Sequence, residues 1–149
     1  MTEVIIENKK INISSDESIA EIVSSNFDYS DIVAVKINDS LIDLSEKVTG
    51  DCIIELIKSS DPEGLDIIRH TCAHVFGHAI KQIYPNTKMV IGPVIDNGFY
   101  YDIYAENSIS EKELSQIEML MKKLSKKKYK IVREVVSKEK AIKIFKDRN

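Results

Sequence analysis

The 149-residue chain is 43% hydrophobic and 30% charged, with a formal net charge of −3. That length supports an ordinary core in one or two domains. No apolar run reaches the roughly 18 residues of a membrane span, and the Met-Thr-Glu-Val-Ile start lacks the basic and apolar character of a signal peptide, so a cytoplasmic protein with no membrane partner is expected.

Taken in chain order, Thr2 to Glu7 and Lys10 to Ile13 are rich in β-branched residues, and the polar Asn8-Lys9 between them suits a hairpin turn. Ser14 or Ser15 is placed to cap a helix carrying Ile19, Ile22 and Val23 on one face. Ile32 to Ile37 and Cys52 to Ile57 have the composition of buried strands, with a short hairpin arm at Leu41 to Leu44. The order β-β-α-β-β-β predicts an α+β unit of β-grasp, ubiquitin-like type over residues 1–61. The compact polar break Ser59-Ser60-Asp61-Pro62-Glu63-Gly64 marks its boundary with a second unit, 62–149.

The second unit opens with a helix predicted over 65–84 and stopped by Pro85. His70, His74 and His78 recur every four residues and so share one face. At 100° per residue, Leu65, Ile68, Cys72, Val75, Ala79 and Ile83 gather on the opposite side, where they are expected to dock on a core. Ala73 and Gly77 are small enough for a ligand or another chain to lie close to the helix backbone. Met89 to Ile91 and Gly98 to Tyr104 read as strands, joined through Gly92-Pro93 and the turn-forming Asp96-Asn97-Gly98. Ser110 with Glu113 forms a capping box for a helix whose apolar positions are Leu114, Ile117, Leu120, Met121 and Leu124. Tyr129 to Val136 reads as a further strand and Lys138 to Lys146 as a last short helix.

Charge is unevenly divided. Residues 1–64 hold 14 Asp/Glu against 5 Lys, a balance of −9, whereas residues 65–149 hold 10 acidic against 16 basic residues, a balance of +6. Twelve of those cations lie between Lys122 and Arg148, including Lys126-Lys127-Lys128. Such a run either attracts RNA phosphates through counterion release or is a solvated helix face. Cys52 and Cys72 form no CxxC pair and are expected to be buried thiols, with neither a disulfide nor a zinc ribbon.

A histidine in a cleft can orient a water, accept its proton or protonate a leaving group, which suits ester hydrolysis. Two histidines one turn apart could instead hold a metal, but hydrolytic zinc normally takes three protein ligands, and His78 lies two turns from His70. Half-buried histidines satisfied by backbone groups are the plain alternative.

Three strings, RHTCAH, then GHAIKQ, then TKMVIGPVIDNGFYYD, carry a resemblance that runs over all 149 residues. The chain resembles the N-terminal region of bacterial threonyl-tRNA synthetases. Residues 1–61 look like the TGS domain of those enzymes, also found in some GTPases and alarmone synthetases. Residues 62–149 look like the first part of an α+β editing domain related to that of alanyl-tRNA synthetases. The resemblance implies hydrolysis of seryl-tRNA mischarged in place of threonyl-tRNA. The family's HxxxH element falls on His70 and His74 as catalytic residues, and its pocket glycine and tyrosine on Gly92 and Tyr101 as substrate-binding residues. No metal ligand is expected among them.

Editing has a physical reason. Serine lacks only one methyl group of threonine, and one such group is worth about 1 to 3 kcal/mol of discrimination, roughly 10 to 200-fold. A second site that admits the smaller ester supplies the rest. In this expectation His70 and His74 position the 3′-terminal ribose and a water, while backbone near Gly92 and the Tyr101 hydroxyl bound the seryl group.

The resemblance further implies what lies past Asn149: a later Cys/His element, a pocket lysine and aspartate, an anticodon-binding domain, and a catalytic domain using ATP, magnesium and zinc. Residues 1–149 alone are therefore expected to hold no cofactor, not to aminoacylate, and to edit weakly if at all. Apolar surface left uncovered after about residue 104 is expected to favour self-association or disorder. The expected partner is the tRNA specific for threonine, and the parent is expected to dimerise through domains outside the chain. Two rival readings are a free-standing TGS-containing RNA-binding or regulatory module without catalysis and a compact metallohydrolase.

Overall fold

A computed structural model describes residues 2–105 and 108–146. Arg148, the last cation of the basic run, lies outside the described residues, as does Asn149.

The first layer is a five-stranded mixed sheet in the order β2-β1-β5-β3-β4. β1 (Thr2–Ile6) pairs antiparallel with β2 (Lys9–Ile13), and parallel with β5 (Cys52–Lys58). β3 (Ile32–Ile37) pairs antiparallel with both β5 and β4 (Ser40–Ile42). The two hairpins turn on Glu7-Asn8 and Asn38-Asp39, all four at positive φ. Two-residue turns with both residues in that region match the twist of the flanking strands. The first turn thus sits one residue earlier than the expected Asn8-Lys9, and β4 ends at Ile42 rather than Leu44.

Helix α1 (Ile19–Asn26) crosses one face of this sheet. Val4, Ile6, Ile13, Ile19, Ile22, Val23, Val35 and Ile54 form its core. Ser18, not Ser14 or Ser15, caps α1: its hydroxyl accepts the Glu21 N–H at 3.3 Å while the Glu21 carboxylate accepts the Ser18 N–H at 2.8 Å. A Ser with Glu three residues later satisfies two orphan amides at once, an arrangement Ser14 and Ser15 do not make here. The Ser14 amide instead donates to Glu17.

Helix α2 (Pro62–Ile83) begins three residues earlier than expected, with Pro62 in its first turn, where no amide is required. The polar break before it is a tight turn. The Lys58 amide donates to the Asp61 carboxylate at 2.7 Å, and the Asp61 amide donates back to the Lys58 carbonyl at 3.1 Å. Lys36 of β3 bonds Glu63 at 2.8 Å, tying the helix start to the sheet. This contact raises the Lys36 pKa and lowers that of Glu63, in each case chiefly through the hydrogen bond between them.

Two elements sandwich the later turns of α2. On one side lies a bent hairpin, β6 (Lys88–Ile91) with β9 (Asp102–Tyr104) and β7 (Val94–Ile95) with β8 (Gly98–Phe99). The single strand expected from Gly98 to Tyr104 is thus two short ones, interrupted at Tyr100-Tyr101. On the other side lies α3 (Glu111–Lys126). Ala79, Ile80, Ile117 and Leu124 form the buried centre, with Phe76, Met89, Ile103 and Leu120 packed around them.

The expected apolar stripe of α2 is only partly used. Leu65 and Ile68 are exposed, Val75, Ala79 and Ile83 pack into the core as expected, and Ala73, Gly77 and Ile80, outside the stripe, are buried as well. The hairpin lands on the small-residue side, so burial follows close approach rather than side-chain size. Leu114 is likewise exposed, and Cys52 and Cys72 are half-buried free thiols rather than fully buried ones.

Residues 129–136 form no strand, and α4 (Lys138–Lys146) buries no residue. Ile131, Val132 and Val135 stand 83%, 73% and 77% exposed. Strand composition alone does not make a strand, because ladder hydrogen bonds need a neighbour and none is present among the described residues. No helix of the described residues is long and apolar enough to cross a membrane.

Ser110 and Glu113 form the expected capping box. Glu113 also accepts the Tyr84 hydroxyl at 2.5 Å, joining α3 to the end of α2. The Ser110 hydroxyl first, then Tyr84 and the Ser110 amide, hold the Glu113 carboxyl at about 2 instead of an ordinary 4.5. A depressed carboxylate stabilises the fold fully above its unfolded pKa and progressively less as pH falls toward its folded one. Urea midpoints of the native chain and of Glu113→Gln are therefore expected to differ at pH 6 and to converge between about pH 4.5 and pH 2. A gap independent of pH over that range would show that the carboxylate is not held in this way.

Candidate functional site

His70 and His74 sit one turn apart on α2, and both rings are exposed to solvent. Their Nε2 atoms are 2.9 Å apart, with ring centroids 4.7 Å apart and planes at 60°. At that separation one ring donates and the other accepts, so the pair orients itself and leaves the Nδ1 atoms for other contacts. Because i and i+4 on a helix meet on one face, the arrangement needs no tertiary support.

Tertiary structure supplies the opposite wall. Ile91, Gly92, Pro93 and Val94 cross in front of the histidines, and Tyr101 comes from the break between β8 and β9. His70, Ala73, His74, Val90, these four residues and Tyr101 together line a recess of about 510 Å³. All four residues singled out from the sequence, His70, His74, Gly92 and Tyr101, thus meet in one place.

Contact between Gly92 and Tyr101 sets the shape of this recess. A Cβ on Gly92 would stand 2.5 Å and 2.6 Å from Cδ2 and Cε2 of the tyrosine ring, so only glycine lets the ring lie there. The hydroxyl end of Tyr101 reaches Gly77, about 3.5 Å from where a Cβ would stand. Phe76 supports the ring from α2 at a centroid distance of 5.7 Å, and Phe99 packs on Phe76 at 6.2 Å.

The small residue Gly77 therefore receives the protein's own hairpin, while Ala73 lines the recess. At Gly77 the visitor is Tyr101 together with the methyl group of Met89. The sequence signal was present in the small-residue spacing, but its occupant lay about 25 residues further on and could not be read locally.

His78 is not part of the recess lining. Its Nε2 lies 3.0 Å from Nε2 of Gln82, and its ring centroid lies 6.4 Å from that of Tyr129. A zinc centre needs three or four donors. Among the described residues no three His, Cys, Asp or Glu side chains cluster closely enough to provide them.

The recess can accept a small polar group between an imidazole pair and an apolar floor. Imidazoles can orient a water or a ribose hydroxyl, while Val90, Ile91, Pro93 and Val94 give the open recess an apolar wall.

No family model matches the chain. Curated proteins do. The chain is 44% identical over 116 residues to the threonine–tRNA ligase of Psychrobacter arcticus, covering 78% of this chain and 18% of that protein. It is 47% identical over 117 residues to that of Prochlorococcus marinus, again covering 78% and 18%. To that of Francisella tularensis subsp. tularensis it is 49% identical over 114 residues, covering 76% and 18%. The chain thus spans less than a fifth of the length of the curated relatives it matches. Identity at this level over three quarters of the sequence means that the chain belongs, as a segment, to the threonine–tRNA ligase family.

Proposed function

We propose that this chain is the N-terminal part of a threonine–tRNA ligase, and that its histidine recess is one half of a hydrolytic site for seryl esters of tRNA. Residues 1–61 are read as a β-grasp TGS domain and residues 62–149 as the first part of an editing domain. The sheet order β2-β1-β5-β3-β4 with α1 across it supports the first assignment. The observation that carries the second is the meeting of His70, His74, Gly92 and Tyr101 around one open recess. In this reading the imidazoles hold the 3′-terminal ribose and a water, and the Gly92–Tyr101 contact leaves room for a seryl but not a threonyl side chain. ATP-dependent charging of tRNA belongs to the whole enzyme and lies beyond this segment.

Binding tests the reading without requiring complete catalysis. Serine joined through an amide to 3′-amino-3′-deoxyadenosine is a stable mimic of the ester. Titrated into the isotopically labelled chain, it is expected to shift the NMR signals of His70, His74, Gly92 and Tyr101, and the threonyl counterpart to bind about tenfold more weakly, as expected for one methyl group. Shifts confined to other residues, no shifts, or equal binding of the two mimics would overturn it. The free-standing module without catalysis makes no use of this recess.

A further inference from the structure

We propose that the ridge running from Lys122 through Tyr129, beside α2, is a track for single-stranded RNA that leads its end into the histidine recess. This rests on reading that recess as an RNA 3′-end site.

The argument begins with charge. Residues 111–146 carry 12 Lys/Arg against 5 Asp/Glu. Lys122 pairs with Glu118 at 2.6 Å, whereas Lys123, Lys126 and Lys127 have no ion-pair partner among the described residues. Lys122, Lys123 and Lys126 surround one shallow recess with Met119. Lys122 and Lys126 also edge the groove that α3 makes with Ile68, Thr71, Cys72 and Val75 of α2. Thr71 follows His70 directly, so this groove and the histidine recess flank the same helix.

Aromatic geometry supplies the second observation. Tyr129 is 57% exposed and has two side-chain neighbours, Lys127 and His78. Nζ of Lys127 donates to its hydroxyl at 2.9 Å and stands 5.4 Å from its ring centroid. The ring lies beside His78, on the helix face that also carries His70 and His74. From His70 to His78 is eight residues of helix, about 12 Å. A stacked strand at about 3.4 Å per nucleotide covers that distance in three to four steps. Cations that follow a backbone beside an open aromatic face are what sequence-independent single-strand binding requires. A duplex has no free base face to offer Tyr129.

Fluorescence anisotropy with a labelled single-stranded RNA of about eight nucleotides, a length within common site sizes, reads this directly. The triple change Lys122→Gln, Lys126→Gln and Lys127→Gln is expected to weaken binding and to reduce the slope of log affinity against log salt by about 2, at roughly 0.7 per lost phosphate contact. Tyr129→Ala is expected to weaken binding at least fivefold, as lost stacking does, and Tyr129→Phe to retain it. Lys9→Gln with Lys10→Gln, on β2, is expected to change neither quantity. An unaltered salt slope in the triple variant, native affinity in Tyr129→Ala, or equal affinity for a duplex of the same length would overturn the track. Binding is read without the ester mimics. Loss of the track with mimic binding intact therefore sinks this proposal alone, and the converse result sinks the reading of the recess.

Discussion

Replacing Gly64 by alanine is expected to destabilise the chain by about 2 to 3 kcal/mol, even though alanine is the better helix former. In an open helix interior the change would stabilise by about 1 kcal/mol. Here the new Cβ would stand 1.9 Å from the Lys58 carbonyl oxygen and 3.3 Å from a methyl of Val33. The first of these neighbours is backbone at the end of β5, held by the paired hydrogen bonds between Lys58 and Asp61, and cannot swing aside as a side chain would. Overpacking of this kind typically costs about 1 to 3 kcal/mol and occasionally more, so the clash outweighs the propensity gain. Urea unfolding followed by circular dichroism gives the answer. A midpoint equal to or above the native one would mean that α2 does not seat against the end of β5.

The second large effect is at Gly92. Gly92→Ala drives a methyl group into the Tyr101 ring, which Phe76 and Gly77 back from the other side. The ring can rotate away, so the stability cost is smaller, about 1 to 2 kcal/mol. The functional cost is larger, because the added methyl and the displaced ring both intrude on the recess. Binding of the seryl mimic is expected to fall at least tenfold, while the tyrosine's own NMR signals move. Native affinity with an unmoved Tyr101 would show that this contact does not shape the recess.

Much of the architecture was legible because it rests on local rules. The strands of the five-stranded sheet, the helix around His70 and the Ser110–Glu113 capping box follow from β-branched runs, 3.6-residue spacing and a Ser-x-x-Glu pattern. The Ser18 cap was missed although the same pattern marks it, because the serines at 14 and 15 come first along the chain. The failure at 129–136 has a different cause. Tyr129, Ile131, Val132, Val135 and Val136 have strand composition, but a strand is a property of two segments and the second is not among the described residues.

The candidate site divides along the same line. That His70 and His74 face one way was determined by their spacing alone, since i and i+4 side chains must meet on any helix. That Gly92 and Tyr101 stand opposite them rested on resemblance, and the apolar stripe packs into the core at Val75, Ala79 and Ile83 but not at Leu65 and Ile68. Only the tertiary structure decided that the hairpin lands on Gly77 and leaves Ala73 in the recess wall. Which face of a helix is buried depends on where a partner can approach the backbone most closely, and that partner is specified by residues far along the chain.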